Sequence, residues 1–184
     1  MEIIQNIDNN ILMFIQNNIK CTFLDFIMPI ITSLGNGGTV WICVAIFMLC
    51  SKKYKKYGFI LGVTLACGYI FGDLIIKPIV QRVRPFNVNE TIQILIARPL
   101  SYSFPSGHSL NSFSSATIIF KAKKKWGIAA FTLASLIAFS RMYLYVHYPS
   151  DVLSGIIIGI CIALVVYRFM NAKLKNKKYN KIER

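Results

Sequence analysis

Six apolar stretches, separated by short polar turns, restrict this chain more than any other feature. They lie near residues 21–35, 39–51, 57–77, 107–121, 126–146 and 151–171. A helix needs about 20 residues to cross the hydrocarbon core of a bilayer. Several stretches fall short of that, so their ends must run into the adjoining loops. A soluble domain of 184 residues would need far more polar surface than one that is 55% hydrophobic, with a mean hydropathy of +0.53. In lipid, every backbone N–H and C=O must be satisfied within the segment, which favours helices. The expected fold is therefore an all-α integral membrane protein, a six-transmembrane-helix bundle.

Ahead of the first stretch, Ile4, Ile7, Ile11 and Ile15 recur at three-to-four spacing in a segment that also carries Glu2 and Asp8. This predicts an amphipathic interfacial helix over 1–19 rather than a span or a cleavable signal peptide. The bundle would occupy 20–171, and 172–184 would form a basic cytoplasmic tail that can touch anionic lipid. Gly35-Asn36-Gly37-Gly38 reads as a tight turn between the first two spans. The five cysteines sit in or beside apolar stretches without close Cys/His pairing, so they read as packing residues, not as a disulfide framework or zinc site.

The net charge of +14 raises nucleic acid as a partner, but the lysines fall in short runs between apolar stretches rather than along one face. Membrane topology accounts for those runs. With six spans, sixteen of the 21 lysines and arginines fall on one side, leaving Lys77, Arg82, Arg84, Arg98 and Arg141 on the other. The positive-inside rule makes the crowded side cytoplasmic, together with both termini. The loop over 78–106 and the turn over 147–150 are then expected outside.

The only two histidines, His108 and His147, both fall at span ends on that outer side. His147 precedes Asp151 by four residues, across a short loop in which a carboxylate can orient an imidazole and raise the nucleophilicity of its far nitrogen. The alternative for Asp151 is a helix cap, and the two roles are compatible. Pro105-Ser106-Gly107-His108 opens the fourth span. Its Ser-Gly pair offers backbone N–H groups and a positive helix end to an anion, or else Ser106 is an ordinary cap. Lys77 and Arg84 add a compact charge and a planar fork suited to phosphate oxygens, or alternatively reach for lipid head groups. Arg141 lies deep enough in the fifth span to need a protein or water-lined cavity. Asp73, one turn before Lys77, predicts an intrahelical ion pair. Asp25 is expected to serve a structural role at the end of the first span remote from these residues. Arg82 and Arg98 could assist in holding phosphate, although both lie outside the three motifs.

Lys77-x6-Arg84-Pro85, Pro105-Ser106-Gly107-His108 and Ser140-Arg141-x5-His147-x3-Asp151 together resemble the three-part signature of the type-2 phosphatidic acid phosphatase superfamily, in order, spacing and placement between spans. The resemblance implies a metal-independent lipid phosphatase without a cofactor, working through a phosphohistidine. It implies His147 as nucleophile, Asp151 as its orienting partner and His108 as acid and base. Lys77, Arg84, Ser106, Gly107 and Arg141 would hold the phosphate oxygens. The expected substrate is a phospholipid or polyprenyl (di)phosphate in the membrane, with undecaprenyl diphosphate first and phosphatidylglycerophosphate or phosphatidic acid next. A lipid phosphotransferase and a non-catalytic lipid-phosphate transporter are the rivals from other classes. Oligomeric state has no signal in the sequence.

Overall fold

The computed structural model describes residues 2–182, with side chains described through Ala172. The side chains of the expected basic tail beyond Ala172 lie outside the described residues. The described residues are all-α, without strands. Helix α1 (Glu2–Phe14) passes into a π-helical turn at Ile15–Ile19. Helices α2 (Thr22–Leu34) and α3 (Thr39–Cys50) flank a short 3₁₀ turn at Asn36–Gly38. Helix α4 (Lys55–Tyr69) continues through a π-helical segment, Ile70–Ile76, into α5 (Lys77–Val80). After the one-turn α6 (Pro85–Val88) and a loop come α7 (Gly107–Ala122), α8 (Lys124–Tyr143) and α9 (Pro149–Ile182).

Helix α7 is the centre of the bundle, packed by α4, α8 and α9. Its composition fits that place. Ser109, Ser112, Ser114, Ser115 and Thr117 are all buried, since small side chains let neighbouring helices approach closely. A Cβ on Gly155 or Gly159 of α9 would lie within 2.6 Å of the carbonyl oxygen of Ser106 or Leu110 on α7. On α4, a Cβ at Gly68 would meet the Leu110 side chain at 2.7 Å. Phe23, Phe26, Phe47 and Phe59 point outward on the perimeter, as they would toward lipid.

Among the described residues, three helical stretches are long and apolar enough to cross a membrane: Lys55–Val88, Lys124–Tyr143 and Pro149–Ala172. The stretches expected as the first two spans are α2 and α3, which meet that measure only together, as a pair bent by 44°. A bend of that size keeps the chain advancing in one direction, whereas two spans would need a reversal. Gly37 and Gly38, at φ 57° and 72°, make the break, so the glycine-rich segment is a kink within one path rather than a hairpin turn. The remaining expected span, α7, has only 16 residues and too many hydroxyls to be recognised by hydropathy.

The place of Asp25 also differs from expectation. The hydroxyl of Tyr143, at the end of α8, donates to Asp25 Oδ1 at 2.7 Å, and Gln16 donates to the Tyr143 carbonyl at 2.8 Å. Helix α1 thus lies at the same end of the bundle as the 144–148 loop, and Asp25 lies there too, not at the remote end. From that loop α9 runs away, reaching the start of α4, where Lys56 bonds Asn171. Among the described residues, α1 and Asn171 of α9 therefore lie at opposite ends of the bundle. Ile4, Ile7 and Ile11 of α1 are exposed, whereas Ile15 is buried with Leu12 against Phe86 and the 143–148 segment.

Candidate active site

The short loop between α8 and α9 fixes His147. Backbone N–H groups of Val146 and His147 both bond the Arg141 carbonyl, at 3.1 and 3.2 Å, and Tyr145 sits at φ +57° to make the reversal. The His147 ring is 2% exposed. Arg84 Nη1 lies 3.1 Å from His147 Nε2 and donates to the Val146 carbonyl at 2.7 Å. A guanidinium can only donate, so Nε2 must accept and the ring proton belongs on Nδ1. Burial first, then the charges of Arg84 and Arg141, push the His147 pKa down to about 3, against the opposing pull of Asp151. The imidazole is thus neutral, with its Nε2 lone pair toward the cavity.

Asp151 holds the other side of the ring. Its Oδ2 lies 3.6 Å from His147 Nδ1, just beyond hydrogen-bond length, while the Ser103 hydroxyl is 2.5 Å from Oδ2 and 3.5 Å from Nδ1. The hydroxyl donates to the carboxylate and keeps a lone pair for Nδ1–H. Oδ2 also accepts from the Tyr148 N–H at 3.0 Å. Tyr148 precedes the first residue of α9, so Asp151 stands in its first turn and reaches back to the cap, as in a capping box. One carboxylate thus caps α9 and lies beside the imidazole.

The cations converge on the same place. Arg84, 4% exposed, also donates from Nε to the Ser101 carbonyl at 2.7 Å. Lys77 is buried and paired with Asp73, as the one-turn spacing predicts. The π-helical segment that ends at Lys77 sets this pair against the start of α7. A Cβ on Gly107 would lie 3.6 Å from both carboxylate oxygens of Asp73 and from Lys77 Nζ. Arg141 donates from Nη1 to Thr32 Oγ1 at 2.5 Å, while its Nε has no hydrogen-bond partner among the described residues. A donor at a cavity wall without a protein partner can bond an oxygen.

His108 stands opposite. Its Nε2 is 3.0 Å from Asn36 Oδ1, on the kink between α2 and α3. Six of the eight sequence-predicted residues line one cavity of about 870 Å³: Lys77, Arg84, Gly107, His108, Arg141 and His147. Asp151 and Ser106 stand behind its wall. The Ser106 hydroxyl accepts from the Ser109 N–H at 3.4 Å and from its hydroxyl at 3.0 Å, so its capping alternative is the one seen. Below the cations the cavity becomes apolar, descending between α3 and α4 past Ile42, Ile46, Leu49 and Leu65.

Against known proteins, the sequence pattern of the PAP2 superfamily matches residues 53–175, which hold all three motifs and the whole cation cluster. The chain belongs to the PAP2 superfamily. An undecaprenyl-diphosphatase of Sulfolobus acidocaldarius is 31% identical over 157 residues, 84% of this chain and 75% of the relative. The undecaprenyl-diphosphatase BcrC of Bacillus subtilis is 32% identical over 148 residues, 79% of this chain and 75% of the relative. The solved transmembrane PAP2-type phosphatidylglycerolphosphate phosphatase from Bacillus subtilis superposes with a TM-score of 0.76 at 26% identity, covering 94% of this chain and 88% of that one. This PAP2 chain is thus a membrane enzyme of the lipid phosphatase class.

Four side chains of this PAP2 site carried no sequence signal of their role. Ser103 lies in an unpatterned loop, and Asn36 is hidden in a glycine-rich turn. Asn111, one turn after His108, has a buried Oδ1 without a partner among the described residues. Asp8, in the N-terminal helix, is 2% exposed and pairs with Arg82 at 2.7 Å. Arg82 spends both terminal guanidinium nitrogens, Nη1 and Nη2, on protein groups, and Arg98 lies over the Phe86 ring.

Proposed function

We propose that the protein hydrolyses a membrane lipid diphosphate through a phosphohistidine on His147, with undecaprenyl diphosphate as the best-supported substrate. The observation that carries this is the neutral His147, whose Nε2 faces the cation-lined cavity while Nδ1 faces Ser103 and Asp151. Nε2 attacks the terminal phosphorus in line, and the bond from phosphorus to the bridging oxygen breaks. His108 gives that oxygen a proton and leaves the lipid monophosphate. His108 then takes a proton from water, whose oxygen attacks the phosphohistidine and restores the imidazole as inorganic phosphate departs. Arg84, exchanging Nε2 for a phosphate oxygen, joins Lys77, Arg141 and the Gly107 amide in stabilising the charge of the transition state. One such donor is typically worth about 10²–10³ in rate. Ser106 serves by capping the helix that presents Gly107 and His108.

The apolar floor of the cavity supports a lipid tail attached to the phosphate, and relatives named as undecaprenyl-diphosphatases cover most of this chain. Phosphatidylglycerophosphate is the second reading, favoured by the solved relative. The path of the chain supports five crossings: the bent α2–α3 pair, α4, α7, α8 and α9. Fifteen of the 21 lysines and arginines then fall, by their place in the sequence, on the side away from the site. The site and α1 accordingly belong to the extracytoplasmic face, with α1 in the bilayer interface, and the C-terminus is cytoplasmic. Purified protein in detergent with EDTA should release phosphate from a polyprenyl diphosphate faster than from phosphatidylglycerophosphate or phosphatidic acid. A strict metal requirement, or full activity in His147→Ala, would overturn the mechanism.

A further inference from the structure

We propose that Asp8 and Arg82 are positioning residues, a charge bridge by which the N-terminal helix sets the orientation and the basicity of Asp151. This rests on the reading of His147 as nucleophile and Asp151 as its partner. Arg82 Nη1 donates to Asp151 Oδ1 at 2.6 Å and to Ser150 Oγ at 2.7 Å. Its Nη2 donates to Asp8 Oδ2 and to Gln5 Oε1, each at 2.7 Å. The guanidinium lies 4.0 Å over the Tyr148 ring, which holds its plane. Asp8 in turn accepts from the Ser150 N–H at 2.9 Å and from the Ser150 hydroxyl.

The two oxygens of Asp151 thus have separate partners. Oδ1 is taken by Arg82, while Oδ2 is left to Ser103, the Tyr148 N–H and the His147 ring. A carboxylate held at both oxygens cannot rotate away from the imidazole. The second effect is electrostatic. A guanidinium paired with Asp151 alone would cancel its charge and weaken its hold on the His147 Nδ1 proton. Because Asp8 shares Arg82, two carboxylates face one cation, and the array keeps a net negative charge beside His147. Docking α1 requires none of this, since Leu12 and Ile15 already bury it against Phe86 and the 143–148 segment.

The test uses the full-length protein in detergent micelles, with a polyprenyl diphosphate as substrate and inorganic phosphate as competing product. Asp8→Asn, Arg82→Lys and Arg82→Gln are compared with wild type and His147→Ala. Each of the three should lower kcat roughly 10–100-fold, the usual effect of removing the outer partner of an oriented histidine at metal sites. KM, inhibition by phosphate and the thermal midpoint should stay near wild type. Because both residues act through one bridge, Asp8→Asn/Arg82→Gln should fall no further than its worse single parent. Wild-type kcat in Asp8→Asn overturns the proposal. So does a loss of kcat matched by loss of phosphate inhibition and of the folded midpoint, which marks helix docking alone. An inactive His147→Ala beside a fully active Asp8→Asn sinks this inference only, whereas an active His147→Ala sinks the reading beneath it.

Discussion

The two histidines occupy walls of opposite character. His147 is held from every side: by backbone bonds to Arg141, by Arg84 at Nε2, and by Ser103 and Asp151 at Nδ1. His108 is half-buried and meets a single polar side chain, Asn36, carried on a glycine kink. A nucleophile gains from a fixed tautomer and a fixed line of attack. A residue that must first release a proton and later accept one from water gains from access and a looser hold. The difference in constraint between the walls parallels the proposed division of labour, and each wall can be broken separately.

Breaking the His147 wall should have the largest effect. His147→Ala removes the covalent route and should lower kcat roughly 10⁴–10⁶-fold, as loss of a nucleophile or its base does in other covalent catalysts. Phosphate release with the protein in excess is the measurement. His108→Ala should cost about 10²–10⁴-fold, in the range of general acid–base catalysis. It should also leave a mark that His147→Ala does not. Departure of a lipid monophosphate needs less help from an acid than activation of water needs from a base. Labelled phosphate should therefore accumulate on the His108→Ala protein as an acid-labile, base-stable adduct. Equal loss without any adduct would assign both histidines to a single step.

These walls were unequally legible in the sequence. The His147 wall is built from two short stretches, 77–84 and 141–151, whose charges and spacing exposed Lys77, Arg84, Arg141, His147 and Asp151. Ser103 escaped because a hydroxyl in an irregular loop has no period and no charge to mark it. The partner of His108 escaped for another reason. Gly35-Asn36-Gly37-Gly38 has the composition of a turn, and only the packing of α2 and α3 decides whether glycines reverse a chain or kink it. The same reading of the turn separated α2 from α3, which follow one path bent by 44°, and it set Asp25 at the end remote from the site, whereas it bonds Tyr143 beside the 144–148 loop. Asp8 shows a third limit: an acidic residue on an amphipathic helix reads as the solvated face, while here it is 2% exposed against Ser150 and Arg82.

The kink offers a smaller lever on the His108 wall. A Cβ on Gly35 would stand 2.6 Å from His108 Cδ2 and 3.0 Å from Ile137 Cγ2, too close for either to remain in place. Gly35→Ala should displace the imidazole by a fraction of an ångström to an ångström, where misplacement costs up to about 10²-fold. Steady-state kinetics should show kcat falling with KM little changed, and the adduct of His108→Ala should appear here in reduced amount. Asn36→Ala removes one hydrogen bond, a net contribution of about 0.5–1.5 kcal/mol, and should lower kcat only several-fold.

Acid should distinguish the walls by stability rather than rate, and this is the smallest effect. The His147 pKa is about 3 in the folded protein because burial, Arg84 and Arg141 disfavour its charged form, whereas an unfolded histidine titrates near 6.5. Between those values the unfolded chain binds a proton that the folded ring refuses. Folding stability contributed by this group therefore rises with pH through that window and is lost as pH falls from about 6.5 toward 3. Above about 6.5 both states are neutral and the contribution is flat. The thermal midpoint in detergent should drop as pH is lowered from 7 to 4, and His147→Gln should make that drop shallower. An unchanged slope in His147→Gln would mean that the ring is reached by water and protonated in the folded protein, and the rigid wall would then be no tighter than the loose one.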